Sequence, residues 1–85
     1  IWSTLVLHGG YILHAIINGD WHPRPLESVA WLEQSLVGAV AETNMLRERV
    51  EKFLAKDDVE FAGVTADDLV AVLEIALANQ QLVVT

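Results

Sequence analysis

Cysteine is absent from the 85-residue sequence, so disulfide bonds, cysteine-ligated metals and thiol catalysis are excluded. A membrane-spanning run is absent as well. The apolar segment at the start is shorter than the roughly 20 residues that a bilayer crossing requires, and His8 and His14 interrupt it. We therefore expect neither a disulfide-stapled secreted domain nor a membrane protein, and a cytoplasmic location is the simplest expectation.

Basic residues are scarce, and none follows Lys56. The net charge is −7, and most of it comes from residues 57–74. Nucleic acids and anionic membranes attract a protein through a basic footprint, which this chain lacks. We expect no direct binding to nucleic acid or to a membrane. The region contains a predicted acidic patch, made of Asp57, Asp58, Glu60, Asp67 and Asp68.

Hydrophobic residues, by contrast, are abundant, at 53% of the chain. A chain of this length has room for one domain, residues 1–85, and such a small domain has a limited interior. Apolar surface in excess of that interior would contact a second copy or another protein. The alternative is a tightly packed monomeric bundle rich in alanine and valine. Because the sequence begins at Ile1 rather than at methionine, we expect it to be a trimmed form of a longer chain.

The middle of the chain shows the strongest pattern, an unbroken three-four spacing of mostly apolar residues. This spacing is typical of the seam of a long helix that lies along another helix. It predicts a helix over about residues 26–56, with an exposed ion pair between Glu48 and Lys52. The seam consists of Val29, Leu32, Leu36, Ala39, Thr43, Leu46, Val50 and Phe53.

The first segment also fits a helical stripe, which predicts a helix over about residues 2–17. Gly9 and Gly10 count against it, since each glycine costs about 1 kcal/mol relative to alanine inside a helix. A strand over residues 1–7 followed by a helix from Tyr11 is the competing interpretation. Two prolines then predict a loop over residues 20–25.

The third segment has a clear start signal, in which Thr65 and Asp68 have the spacing of a capping box. The apolar residues that follow predict a helix over about residues 66–81, buried on most of its sides. The expected fold class is therefore all-α. We predict a small three-helix bundle whose long central helix has coiled-coil character.

Metal and catalytic sites are not predicted. His8 and His14 are six residues apart, which places them on different faces of a helix rather than in a zinc-binding pair. The segment from Asp58 only partly matches a calcium-binding loop, because Ala62 and Leu69 fall where oxygen ligands are required. We expect no catalytic residue, no cofactor and no metal, and we do not expect an enzyme.

The leading functional hypothesis is a small acidic helical interaction module, which self-associates or forms a subunit of a larger assembly. Interface energy concentrates in tryptophan, tyrosine and arginine, so the tryptophans beside the prolines are candidate anchors. The alternative is that Trp21 and Trp31 simply cap the end of the bundle. The predicted partner-binding residues are Trp21, Trp31, Leu46, Val50, Phe53, Val72 and Ile75.

Two alternatives belong to different functional classes. In the first, the acidic patch lets the chain inhibit an enzyme by occupying a basic, nucleic-acid-binding groove. Such binding would collapse as the salt concentration rises, whereas apolar docking would not. In the second, an apolar cavity between the first and third helices binds a small ligand.

Overall fold

A computed structural model of the protein describes residues 1–19, 21–79 and 81–82. In this part of the chain, strands and helices are mixed. The strands are β1 (Trp2–His8), β2 (Tyr11–Asn18), β3 (Pro23–Arg24), β4 (Glu60–Phe61) and β5 (Gln81–Leu82). The helices are α1 (Ser28–Leu36), α2 (Thr43–Leu54) and α3 (Ala66–Ala78). The predicted all-α class, with its three-helix bundle, is therefore wrong.

The strands form two sheets. The larger sheet has the order β2-β1-β5, with β1 antiparallel to β2 and parallel to β5, and the smaller sheet pairs β3 with β4. Helices α1 and α3 pack against the larger sheet, while α2 packs on these two helices. The apolar core thus lies between one face of the sheet and the helices.

The predicted first helix is instead a β-hairpin. His8 pairs with Tyr11, so the connection is the two residues Gly9 and Gly10, with φ values of 61° and 83°. Two-residue hairpin turns of the common type need positive φ at both positions, which glycine adopts without steric cost. The competing interpretation was correct about the first strand and wrong about a helix from Tyr11.

A β-bulge explains why the hairpin resembles a helix in sequence. Ile12 pairs with Leu7 and His14 pairs with Val6, so Leu13 has no partner on β1. The extra residue puts the buried positions of β2 at 12, 15 and 17, a mixture of three- and two-residue steps. Because residues 2–17 form a hairpin, there is no first helix to enclose an apolar cavity with the third, and the ligand-binding alternative is wrong.

The predicted long helix is two helices, α1 and α2, separated by residues 37–42. Gly38 has a φ of 84°, and this left-handed conformation cannot continue a helix. The seam nevertheless identified buried positions correctly, because its two parts face the same core. Its fully buried members are Leu32, Leu36, Ala39, Leu46, Val50 and Phe53.

The third helix begins where the sequence predicts. The Thr65 hydroxyl accepts a hydrogen bond from the Asp68 N–H at 3.2 Å, and the Asp68 carboxylate accepts one from the Thr65 N–H at 2.9 Å. The helix ends at Ala78, three residues before the predicted end. Residues 20, 80 and 83–85, which belong to the predicted loop and tail, lie outside the described residues.

Candidate functional site

One face of the β1–β2 hairpin is turned away from the helices, and we call it the outer sheet face. Alternation along each strand places every second side chain on this face, so that Thr4 lies opposite Ile16 and Val6 opposite His14. Trp2 is 61% exposed, and Ile16 is 50% exposed. The apolar members of the face, counting the bulge residue, are Trp2, Val6, Tyr11, Leu13 and Ile16.

The outer sheet face carries no charge. Residues 1–19 include no aspartate, glutamate, lysine or arginine, although the rest of the chain has 17 such residues. The polar side chains of the face are a threonine, two histidines and Asn18. Depletion of charge with enrichment of aromatic residues is the composition of the centre of a protein interface. A contiguous exposed apolar surface of this kind marks a place where another protein binds.

A shallow cleft of about 80 Å³ adjoins this face, where β1 meets α3. It is lined by Ile1, Trp2, Ser3, Val72 and Ile75. The Ser3 hydroxyl donates a hydrogen bond to the Val72 carbonyl at 3.2 Å, which ties the strand to the helix. Because Ile75 is 65% exposed, the apolar surface continues from the sheet onto α3.

The outer edge of β2 is occupied by the chain itself. The Ile12 N–H donates to the Ala39 carbonyl at 2.9 Å, and the Ile12 carbonyl accepts from the Gly38 N–H at 2.8 Å. Further along, the Ile17 N–H donates to the Glu33 carboxylate at 2.7 Å. An unpaired edge would invite another strand, so these bonds block strand addition along β2.

Three of the predicted partner-binding residues lie in the core. Leu46, Val50 and Phe53 are each at most 2% exposed and belong to the cluster between the helices and the sheet. Their side chains are fully used inside the chain, so they have no surface to offer a partner. The seam therefore marks internal packing rather than a protruding coiled-coil arm.

The two predicted tryptophan anchors have different surroundings. Trp21 is half-buried, and its ring meets the buried Phe61 edge-on, with the centroids 4.8 Å apart. Trp31 lies on α1 and is exposed. Trp21 thus helps to close the core beside β4, while Trp31 and the outer sheet face lie on separate elements.

Two members of the predicted acidic patch are engaged within the chain. The Asp67 carboxylate pairs with Arg47 at 2.7 Å, and Asp68 caps α3 through Thr65. The Arg47 guanidinium donates a hydrogen bond to the Asp67 carboxylate, and this bond raises the pKa of Arg47. Both carboxylates have local structural roles at the start of α3.

The other three acidic residues line a depression that an arginine also lines. Asp57, Asp58 and Glu60 line a depression of about 360 Å³ together with Arg24, which lies opposite Glu60 in the β3–β4 pair. Since two of the five carboxylates are engaged at the start of α3 and the other three share their depression with an arginine, the five do not offer the uncompensated negative charge that mimicry of nucleic acid requires. The inhibitor alternative is wrong for this reason.

Over 1–19, 21–79 and 81–82, no group of three or more histidine, aspartate or glutamate side chains could hold a metal ion. No helix in this range combines the length and the apolar character needed to span a bilayer.

Sequence reasoning missed the outer sheet face. Two signals could have found it: the alternation of buried Leu5 and Leu7 with exposed Thr4 and half-buried Val6, and the Gly-Gly pair between two apolar runs. The complete lack of charge before residue 20 is a third signal, because a surface helix normally presents a charged side to water.

No protein-family model matches the sequence, and no curated protein matches it. Among solved structures, the chain is similar to one from a structural study of an archaeal lipoylation system, a bi-partite lipoate protein ligase and its E2 lipoyl domain from Thermoplasma acidophilum. The two chains are 28% identical, with 84% of this chain and 77% of the other aligned and a TM-score of 0.74. The sheet and this similarity together overturn the predicted helical interaction module: the chain shares its α/β fold with a component of a lipoylation system.

Proposed function

We propose that this chain is the accessory part of a lipoate protein ligase, which binds the catalytic part and supports transfer of lipoate to an acceptor domain. The observation that carries the proposal is the fold similarity to a chain of the archaeal lipoylation system. Because the aligned part covers most of both chains, the two are similar in size. That size fits either a small part of a two-part ligase or a lipoyl domain.

The lysines favour the ligase part over the lipoyl domain. Lipoate is a carboxylic acid that serves as a carried group in the form of lipoamide, so an acceptor must present a lysine amine to the ligase. The chain has two lysines, and both belong to the α2 region. Lys52 pairs with Glu48 at 3.1 Å, as the sequence predicted, and Lys56 lies over the Phe53 ring at 5.2 Å. Both amines thus have a partner within the chain, on α2 or just after it.

The outer sheet face supports the same choice. An accessory part must hold its catalytic part through a stable contact, and an uncharged apolar surface with exposed aromatic residues provides one. An acceptor domain, by contrast, meets its ligase only transiently and must leave again.

The proposal is tested by reconstituting lipoate transfer. The catalytic ligase chain of the same organism is incubated with ATP, lipoate and an apo lipoyl domain, with and without this chain. We expect this chain to raise the rate of acceptor lipoylation about tenfold, corresponding to about 1.4 kcal/mol in the barrier. Intact-mass spectrometry of both proteins measures the result.

A matched variant separates the two roles. The double substitution Lys52→Arg with Lys56→Arg keeps the charge but removes every side-chain amine that could accept lipoate. It should stimulate transfer as well as the parent chain. Attachment of lipoate to Lys52 or Lys56 of the parent chain would assign it the acceptor role instead, and an unchanged transfer rate would refute the accessory role.

A further inference from the structure

We propose that the outer sheet face, together with the cleft beside Ile75, is the surface that binds the catalytic part of the ligase, and that the partner presents an uncharged, apolar, concave patch to it. This inference rests on the proposed function. It adds the location of the contact and the chemistry of the surface that fits it.

Charge selects the kind of partner. The face offers no charged group within residues 1–19, so a charged partner surface would lose its hydration there without gaining an ion pair. An apolar partner surface gains instead from burial of Trp2, Tyr11 and Ile16, which are each at least half exposed. Aromatic side chains at both ends of the face suit the role of anchors.

The hydrogen bonds of β2 select the direction of approach. Its edge is closed by Ala39, Gly38 and Glu33, so a partner strand cannot extend the sheet on that side. A partner therefore contacts side chains on the face rather than backbone groups along this edge. The affinity of the partner therefore depends on how well its shape fits the face and on how much apolar area the contact buries.

Size and net charge argue for a larger, concave partner rather than a second copy. Two strands of seven or eight residues cover a strip of roughly 25 by 10 Å. A stable interface buries about 800 Å² on each side. Two copies meeting only through this strip would fall short, and each carries a charge of −7. A partner that curves around the hairpin reaches Ile75 through the cleft and enlarges the contact.

The test places a charge on the face and measures binding. Ile16→Lys changes a residue in the centre of the outer sheet face. Ile75→Lys changes a residue of α3, so it leaves the sheet intact and serves as the test if Ile16→Lys folds poorly. Leu26→Lys is the matched control, because Leu26 is 78% exposed and lies on neither the outer sheet face nor the cleft. Calorimetry titrates each variant into the catalytic ligase chain of the same organism.

We expect Ile16→Lys and Ile75→Lys each to weaken binding by about tenfold or more, while Leu26→Lys binds like the parent chain. Between about 0.05 and 0.5 M salt, the affinity of the parent chain should change by less than about threefold.

Three results would each overturn a different part of these proposals. Binding of the parent chain that neither face variant weakens would overturn the proposed surface and leave the proposed function intact. Absence of both binding and stimulation by the parent chain would refute the proposed function itself. A dimer of the parent chain in light scattering that Ile16→Lys dissolves would assign the face to a second copy.

Discussion

At the scale of single residues, Gly9 and Gly10 decide how the first 18 residues fold. Both have positive φ values, and a Cβ built on either meets no atom within 4 Å. The requirement for glycine there comes from the backbone conformation and not from crowding. A residue with a branched side chain would strain the turn and leave the surrounding packing unchanged.

Gly9→Val should therefore destabilise the protein by about 1–2 kcal/mol, the cost of forcing a side chain into the left-handed region. Asparagine tolerates this region, so Gly9→Asn should cost much less. Denaturant unfolding followed by circular dichroism measures both. Equal losses for the two variants would contradict a backbone origin.

At the scale of elements, the sequence patterns that predicted structure correctly were those set by residues close together in the chain. The capping box of α3 joins Thr65 to Asp68 within a single turn, and the sequence contains all of its parts. The burial of the seam was also predictable, because α1 and α2 each keep an apolar side toward one core. The break between them depends on Gly38 and on residues 37–42 pairing with β2, a contact between distant segments that no local pattern shows.

The β2 half of the outer sheet face was hidden for a similar reason, although β1 and the Gly-Gly pair carry local signals of the hairpin. The bulge at Leu13 shifts the alternation of β2, and without the register against β1 the shift cannot be told from a helical period. The sequence equally did not show that Leu46, Val50 and Phe53 pack inside the core of this chain. A seam shows that residues are buried and leaves open which element covers them.

Removing the cap of α3 should show how much this local signal contributes. Thr65→Ala deletes the hydroxyl that accepts the Asp68 N–H, and we expect a loss of about 1 kcal/mol in the free energy of unfolding. Thr65→Ser keeps the acceptor and should stay close to the parent chain. Thermal and denaturant unfolding give the measurement, and an unchanged midpoint for Thr65→Ala would show that the cap does not contribute to the stability of the protein.

At the scale of the whole molecule, charge and apolar surface are separated. The hairpin supplies an uncharged face on one side, whereas the helices, the connections and the smaller sheet carry every charged side chain in the described residues. The core between them joins all three helices to the sheet. A small domain has a marginal stability, so one large cavity in this core affects the entire fold.

Two leucine-sized substitutions contrast the inside with the outside. Leu46→Ala opens a cavity in the core and should destabilise the protein by about 2–5 kcal/mol, enough to unfold much of the population. Ile75→Ala removes an exposed side chain and should change stability by less than about 0.5 kcal/mol. Urea unfolding compares them. A large stability loss for Ile75→Ala would place Ile75 in the core rather than on the surface.

The bonds along the edge of β2 have a consequence for assembly. When a strand pairs with an open sheet edge, its own far side becomes a new open edge, so the sheet can keep adding strands without limit. A side-chain face is saturated by one partner. In this chain Gly38, Ala39 and Glu33 close the edge of β2, while the outer sheet face stays exposed. The hairpin can therefore bind a partner through its side chains and form complexes of fixed stoichiometry, even at high protein concentration.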